Sequence, residues 1–247
     1  EVTNLSFKYP GLEENVIENI SFKIKAGESV GILGKTGSGK TTLIDTLMRI
    51  YNVEDGMIKY DGIDINKIPL KVLRDNTAIV PQDNFLFYDT VYENIAFGTK
   101  REVTNHEVME VAKLADLDSN IEEFQNGYET MIGERGSTIS GGQKQRVSIA
   151  RALIKEAPIL ILDDSVSAVD TDTEDKIIRN LKTTRKGKTT ILIAHRVSTV
   201  RKLDRILLID EGKVIGFGTH EELLDNPLYS NLVRLQSLEE EIEGGGQ

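Results

Sequence analysis

The stretch from Gly34 to Thr41 constrains the fold of this chain more than any other part of the sequence. It reads Gly-Lys-Thr-Gly-Ser-Gly-Lys-Thr and fits the pattern G-x-x-x-x-G-K-[ST]. The short apolar run Val30–Leu33 comes before it, and an amphipathic helix is predicted after it, over Lys40–Tyr51. A strand, a glycine-rich loop and a helix in this order are typical of an α/β fold.

The residues of this loop suit the phosphates of a nucleoside triphosphate. Glycines let backbone N–H groups turn toward phosphate oxygens, and the dipole of the following helix faces the anion. Lys40 supplies a positive charge for the β- and γ-phosphates, and the Thr41 hydroxyl is the expected Mg²⁺ ligand. The alternative is a glycine-rich turn with a chance lysine. The predicted binding residues are Gly34, Lys35, Thr36, Gly37, Ser38, Gly39, Lys40, Thr41 and Thr42.

Strands alternate with helices along the rest of the chain. Apolar and polar alternation or short apolar runs predict strands at Val2–Tyr9, Ile20–Ile24, Gly56–Tyr60, Ile159–Leu162, Lys188–Ile193 and Arg205–Ile209. Capping boxes begin at Thr104, which opens a helix to about Ala115, and at Thr219. A helical rhythm covers Ser140–Lys155. These elements predict a mostly parallel α/β sheet in one compact unit with two lobes.

Composition excludes several classes of site. The chain has 247 residues and a formal net charge of −10, which disfavours a nucleic-acid surface. It has no cysteine, so disulfides and thiolate metal sites are excluded. No apolar run approaches the roughly 18 residues that cross a bilayer. The chain starts at Glu1 without methionine and runs straight into a strand, so we interpret it as a segment of a longer polypeptide.

An aspartate follows the apolar run Ile159–Leu162. A carboxylate at the end of a buried strand beside a phosphate loop is suited to bind Mg²⁺, so Asp163 is a predicted metal ligand. The alternative is an aspartate that caps a helix or stabilises a turn.

The segment Ser140-Gly141-Gly142-Gln143 closely resembles the signature motif of ATP-binding-cassette (ABC) proteins and lies 23 positions before Asp163. Physically it is a second phosphate-binding helix start, with a serine cap and exposed glycine N–H groups. Because the chain already has a phosphate loop, this second site makes sense if it contacts a nucleotide held by another chain. The alternative is an ordinary N-cap.

The resemblance to the ABC family covers essentially the whole chain. It implies a P-loop NTPase (RecA-like) core formed by residues 1–82 and 158–238, with a mostly parallel sheet and an N-terminal antiparallel β-subdomain. It also implies a helical ABC subdomain over residues 83–157. Residues 239–247 are predicted to be a disordered acidic and glycine-ended tail.

The resemblance implies roles for single residues as well. Tyr9 matches the aromatic residue that stacks on adenine, although a core tyrosine is the alternative. Gln82 matches the glutamine that reaches Mg²⁺ and the attacking water, in a loop that senses the membrane domain. Asp170 ends Ser167–Asp170, which matches the loop that crosses to the partner site. His195 matches the switch histidine that touches the γ-phosphate, although a histidine at a strand end is more often structural.

One position departs from the family pattern. Asp164 stands where the family has the glutamate that acts as general base, and its side chain is shorter by about 1.5 Å, one C–C bond. A misplacement of about 1 Å can cost on the order of 100-fold in rate. Some exporters are heterodimers whose aspartate subunit binds ATP, hydrolyses it slowly and completes the partner's site. We therefore predict a partner subunit that keeps the glutamate; the alternative is a harmless conservative change.

The resemblance predicts the motor domain of an ABC exporter at the cytoplasmic face of the membrane. Mg-ATP would drive head-to-tail dimerisation, and hydrolysis would power export. Contacts with transmembrane domains are expected through the Gln82 loop and Glu134–Gly136. The alternatives are a regulatory ATP-binding module and an importer ATPase. A soluble ABC ATPase of DNA repair or translation is disfavoured, because the chain has no coiled-coil insert or tandem cassette and is acidic.

Overall fold

The computed structural model describes residues 1–244 and contains two compact units. Unit 1 combines Glu1–Arg74 with the chain from Ile191 onward, and unit 2 is Asp75–Thr190. These bounds differ from the predicted division at residues 83 and 157, because the strands that flank the helical segment belong to unit 2.

The strands are, in chain order, β1 (Val2–Phe7), β2 (Ile17–Phe22), β3 (Ser29–Leu33), β4 (Lys59–Tyr60), β5 (Ile63–Asp64), β6 (Thr77–Val80), β7 (Asp89–Thr90), β8 (Met131–Ile132), β9 (Ile159–Asp163), β10 (Thr189–Ala194), β11 (Arg205–Asp210) and β12 (Lys213–Gly218). The α-helices are α1 (Lys40–Leu47), α2 (Leu70–Asp75), α3 (Val91–Ala96), α4 (Asn105–Leu114), α5 (Asp118–Glu123), α6 (Gly141–Leu153), α7 (Thr171–Thr184), α8 (Val197–Val200), α9 (His220–Leu223) and α10 (Pro227–Gly244).

In unit 1, the central strand β11 pairs in parallel with a buried strand on one side and antiparallel with another strand on its other side. Its larger group of strands has the order β12-β11-β3-β10, with β10 belonging to it from Ile191 onward. β3 and β11 are parallel, and β11 and β12 are antiparallel. β3 is buried over its whole length, as expected of a strand covered on both faces. β1 and β2 form the predicted N-terminal antiparallel pair.

Unit 2 combines parallel strands with most of the helices. β6 and β9 pair in parallel, with Thr77 opposite Ile159. The longest helix between them in sequence, α6, buries Val147, Ile149 and Leu153 and packs against α3 and α4. The predicted α/β fold with a mostly parallel sheet is therefore confirmed.

Several element bounds differ from the predictions. The helix expected over Lys40–Tyr51 ends at Leu47, because Arg49 has a left-handed backbone with φ of 51°. Ile50, expected on its apolar face, is 59% exposed. β1 ends at Phe7 rather than Tyr9, β2 begins at Ile17, and the strand expected over Gly56–Tyr60 shrinks to β4. The capping boxes at Thr104 and Thr219 are both present.

The chain ends in α10, which is anchored in the core of unit 1. Tyr229 is fully buried, and Leu228, Leu232 and Val233 pack against the same core cluster. The helix includes residues 239–244, for which the sequence predicts a disordered tail, and residues 245–247 of that tail lie outside the described part. Among residues 1–244, no helix has the length and apolarity that a membrane crossing requires.

Candidate functional site

The loop Gly34–Thr41 connects β3 to α1 within unit 1. Gly39 is the N-cap residue of α1 and has a left-handed backbone with φ of 98°, and it offers the helix no side-chain cap. Gly37 is also left-handed, with φ of 80°. Both conformations favour glycine. The helix start thus keeps backbone N–H groups for an acceptor other than a capping side chain.

Gly34 is required by a close approach of two backbones. A Cβ atom at this position would lie 2.2 Å from the carbonyl oxygen of Ile209 on β11 and 2.6 Å from Ser38 Oγ. Any side chain here would have to displace β11. The glycine therefore sets the packing of the loop against the sheet as well as its turn.

The side chains of Lys40 and Ser38 fit a phosphate group. Lys40 is 6% exposed, and its Nζ donates to the carbonyl oxygens of Gly34 and Lys35, both at 2.7 Å. The ammonium group is thus held inside the loop. Ser38 Oγ is buried and has no hydrogen-bond partner within the described residues. Such a group costs about 1–3 kcal/mol, which a phosphate oxygen accepting its proton would remove.

Two threonines follow the loop lysine and differ in access. Thr41 is exposed, so its hydroxyl is accessible to a metal ion. Thr42 is 5% exposed, and its Oγ1 shares a hydrogen bond of 3.0 Å with the Tyr9 hydroxyl. Tyr9 also donates to Asp45 Oδ2 at 3.3 Å, and its ring meets Tyr51 edge-on. Burial raises the pKa of Tyr9, which keeps its hydroxyl protonated as the donor of that bond, and burial also raises the pKa of the Asp45 carboxyl.

His195 is the other predicted site residue of unit 1. It follows β10 directly, and its side chain is exposed. Its carbonyl oxygen accepts a hydrogen bond from Gln236 on α10, a residue to which the sequence assigned no role.

Unit 2 carries the predicted carboxylates and Gln82. Asp163 is the last residue of β9 and is 5% exposed. Asp164 follows it with a left-handed φ of 47°, and its carbonyl oxygen accepts from Ser167 Oγ at 2.9 Å. Aspartate is enriched in this conformation several-fold over most side chains. Gln82 lies after β6 and Pro81 and is exposed.

The segment Ser140–Gln143 forms the start of α6 and is capped by its own side chains. Ser140 Oγ accepts from the Gln143 N–H at 3.2 Å, and Gln143 Oε1 accepts from the Ser140 N–H at 2.9 Å. Gly141 is exposed, and a Cβ atom there would meet nothing closer than Ala168 Cβ at 3.9 Å. Before α6, Glu134–Gly136 form a short 3-10 helix.

The start of α6 is tied to the predicted crossing loop Ser167–Asp170. Gln145 is 5% exposed, and its Oε1 accepts from the Ala168 N–H at 3.0 Å. In sequence, a glutamine within a helix looks like a solvent-exposed residue, so the contact between Gln145 and Ala168 could not be predicted. Asp170 is the N-cap of α7, where its Oδ1 accepts from the Thr173 N–H at 3.0 Å. This backbone hydrogen bond lowers the pKa of the Asp170 carboxyl.

Comparison with known proteins decides the family. A family model described as ABC transporter matches residues 17–167, more than half of the chain. The chain belongs to the ABC transporter family. The predicted resemblance is therefore confirmed, and ATP binding is the property that the family implies.

Relatives of this ABC domain are longer than the chain. A "probable multidrug resistance ABC transporter ATP-binding/permease protein", YheI of Bacillus subtilis (strain 168), is 47% identical over 98% of this chain and 42% of its own length. An "ATP-dependent lipid A-core flippase" of Albidiferax ferrireducens is 46% identical over 94% of this chain and 40% of its own length.

A solved structure supports the same assignment. The structure described as "a bacterial Atm1-family ABC exporter with ATP bound" matches 95% of this chain and 41% of its own chain, with 40% identity and a TM-score of 0.91. The chain thus spans about two fifths of the length of these relatives. It corresponds to the nucleotide-binding domain of an ABC transporter.

Proposed function

We propose that this domain binds Mg-ATP on Gly34–Thr41, pairs head to tail with a second nucleotide-binding domain and hydrolyses ATP to power export across a membrane. The observation that carries the proposal is the phosphate loop, where Lys40 is held inward and Ser38 Oγ is buried without a partner in the described chain. Thr41, Gln82 and Asp163 would hold Mg²⁺, which neutralises phosphate charge when bound.

Removal of the loop charge tests nucleotide binding. Lys40→Ala should weaken Mg-ATP binding by about 100-fold or more, because charge-assisted hydrogen bonds contribute about 1.5–3 kcal/mol each. Lys186→Ala, at an exposed lysine of unit 2, is the control and should bind as the wild type does. Equal affinities for the two variants, measured by titration with a fluorescent ATP analogue, would contradict the proposal.

We further propose that the chain's own site hydrolyses ATP slowly. Asp164 is shorter by about one C–C bond than the glutamate of the family pattern, so its carboxylate reaches less far toward an attacking water. Its left-handed φ of 47° is one that aspartate adopts more readily than glutamate. Glu156 and Glu211 of this chain have the same left-handed conformation, so the backbone at this position is compatible with a glutamate as well. The partner would be a different subunit with a glutamate here, and Ser140–Gln143 would complete that subunit's site.

A regulatory ATP-binding module is the second candidate, and it is favoured by the same Asp164. Single-turnover hydrolysis in the assembled transporter, with the base position of each subunit changed separately, distinguishes the two. If this chain is catalytic but slow, Asp164→Glu should raise turnover at its own site and Asp164→Ala should lower it. If it is purely regulatory, neither change alters its own turnover. Brisk hydrolysis by a homodimer that Asp164→Ala abolishes and Asp164→Glu does not raise would contradict the slow-site proposal.

We propose that the membrane-spanning partner docks on an aromatic surface in unit 2, and that the domain works at the cytoplasmic face of a membrane. Phe85, Tyr88 and Phe97 are 53%, 71% and 64% exposed, which is unusual for large aromatic side chains in one segment. Phe87 and Phe97 line a cleft of about 790 Å³. The segment begins just after Gln82, the residue whose loop is predicted to sense the membrane domain, and Glu134–Gly136 remain a second predicted contact.

The aromatic surface is held by the helix that carries the signature motif. Arg151, near the end of α6, donates to the carbonyl oxygens of Phe85 and Asn94, both at 2.7 Å. Its guanidinium also lies 5.4 Å from the centre of the Phe87 ring, and burial lowers its pKa to about 10. One rigid helix thus connects the docking segment to Gly141. This connection supports coupling between the membrane partner and the signature segment.

A further inference from the structure

We infer that Gln236 is a positioning residue for His195. The inference rests on the proposed function, in which His195 contacts the γ-phosphate of bound ATP. Gln236 lies on α10, 41 residues after His195 in sequence, and both belong to unit 1. No motif includes it.

A single carboxamide holds both ends of a three-residue segment. Gln236 Nε2 donates to the carbonyl oxygen of His195 at 3.0 Å. Gln236 Oε1 accepts from the N–H of Val197 at 2.6 Å. The backbone on either side of Arg196 is therefore fixed by one side chain. Because the His195 ring is exposed rather than packed in the core, the position of its backbone has a strong influence on where the ring lies.

The Val197 contact satisfies one of the backbone N–H groups at the start of α8. Arg196 is the N-cap residue of α8 and gives the helix no side-chain cap. A guanidinium has no acceptor for a backbone N–H, whereas serine, threonine, aspartate and asparagine do. Gln236 Oε1 supplies the acceptor from another helix. The start of α8 thus depends on α10.

The packing of α10 holds Gln236 in place. Leu232 and Val233 lie one turn before it and pack against a core cluster that includes Ala194 and Val197. Ala194 directly precedes His195, and Val197 is the last residue of His195–Val197, which we call the switch segment, so the same cluster supports this segment at both ends. Leu33, the residue before Gly34, belongs to this cluster as well. The end of α10, the switch segment and the base of the phosphate loop therefore share one core.

The test is a substitution of Gln236 that removes the hydrogen-bond donor of its side chain but keeps the acceptor. Gln236→Glu has nearly the same size and still accepts from Val197, but its carboxylate has no proton to donate to His195. In the assembled transporter at pH 8, we expect its affinity for ATP to fall about 10-fold, the size of one lost hydrogen bond, with the affinity for ADP unchanged. Relative to wild type at the same pH, the deficit should shrink as the pH falls below 5 toward the ordinary glutamate pKa of about 4.3, because the protonated acid donates again.

Two further variants complete the test. Gln236→Ala loses both bonds, so its ATP deficit should not depend on pH, and exchange of the Val197 amide proton with solvent should be faster. Gln125→Glu introduces the same charge at an exposed glutamine of unit 2 and should bind both nucleotides as the wild type does.

Three results decide the outcome. Equal losses of ATP and ADP affinity would show that Gln236 only stabilises the fold, and would overturn the inference. Unchanged Val197 exchange in Gln236→Ala would overturn it too. If the wild-type transporter fails to bind Mg-ATP, the proposed function is wrong, and Val197 exchange alone decides whether Gln236 holds the switch segment.

Discussion

Two helix starts in this chain resemble phosphate sites in sequence but are built differently. At the start of α1, Gly39 provides no side-chain cap, Lys40 points into the loop and Ser38 Oγ has no partner in the described structure. At the start of α6, Ser140 and Gln143 cap each other through two hydrogen bonds. The first start is prepared for an anion, and the second is partly satisfied by its own side chains.

This difference in capping indicates that the starts of α1 and α6 contact a nucleotide in different ways. A loop with an uncapped helix start and an inward ammonium can bind a phosphate by itself. A self-capped helix start gains little from a free anion, because its side chains already satisfy part of the N–H groups. The exposed Gly141 still leaves room for close approach of another molecule. The α6 start is therefore suited to contact a nucleotide that a second domain holds in place.

The largest predicted difference is between alanine substitutions of Gly34, in the phosphate loop, and Gly141, at the start of α6. Gly34→Ala places a methyl group 2.2 Å from a backbone oxygen of β11. It should reduce the free energy of unfolding by about 1–3 kcal/mol and weaken the chain's own ATP binding. Gly141→Ala meets only an ordinary contact at 3.9 Å, so fold and own-site affinity should persist, while hydrolysis at the partner's site falls. Chemical denaturation and ATP titration measure the first pair of effects. Similar losses of own-site affinity in both variants would remove the distinction between the two helix starts.

A smaller effect should distinguish a helix cap that only stabilises the fold from one that also takes part in ATP hydrolysis. Ser140→Ala and Thr104→Ala each remove the cap of a capping box in unit 2, and each should cost about 1 kcal/mol of stability. Only Ser140→Ala should also lower ATPase activity of the assembled transporter, since Thr104 belongs to no predicted site. Equal ATPase rates for the two variants would mean that the α6 start is only a structural cap.

The smallest effect concerns Asp170, which caps α7 beside the loop held by Gln145. Its pKa is lowered in the fold, so its stabilising effect is present above the unfolded pKa of about 3.9 and is lost as the pH falls through the folded value. Asp170→Asn keeps a capping acceptor but does not titrate. It should therefore lose less stability than the wild type between pH 7 and pH 3 in urea unfolding.

The control for this prediction is Asp225→Asn, at an exposed aspartate of unit 1. It should lose as much stability as the wild type over the same pH range. If Asp170→Asn behaves in the same way as this control, the cap is not held by the charge of Asp170.

The features that the sequence predicts well are those that depend on residues close together along the chain. The phosphate loop, the two threonine capping boxes and the buried strands depend on residues close together in sequence, so periodicity and capping rules reveal them. The end of α1 was not predicted correctly, because nothing in the sequence indicates the left-handed backbone of Arg49 in the way that a glycine would. The division into units depends on which distant strands pair, and local pattern does not reveal such pairing.

Contacts between distant residues explain what the sequence does not reveal. Gln145 and Gln236 each use one carboxamide to hold a loop of the predicted site, over 23 and 41 residues of sequence. Nothing near either glutamine indicates its target. The pairing partner of Ser140–Gln143 is also absent from local pattern, because it would lie on another chain.

The most direct test follows each bound nucleotide separately. The assembled transporter is loaded with a radiolabelled photoreactive ATP, crosslinked at successive times and separated into subunits, and the ATP and ADP on each are measured. The account predicts that this chain still carries ATP when the partner subunit carries ADP, and that Gly141→Ala stops conversion on the partner. Equal conversion on both subunits, or no effect of Gly141→Ala on the partner, would contradict it.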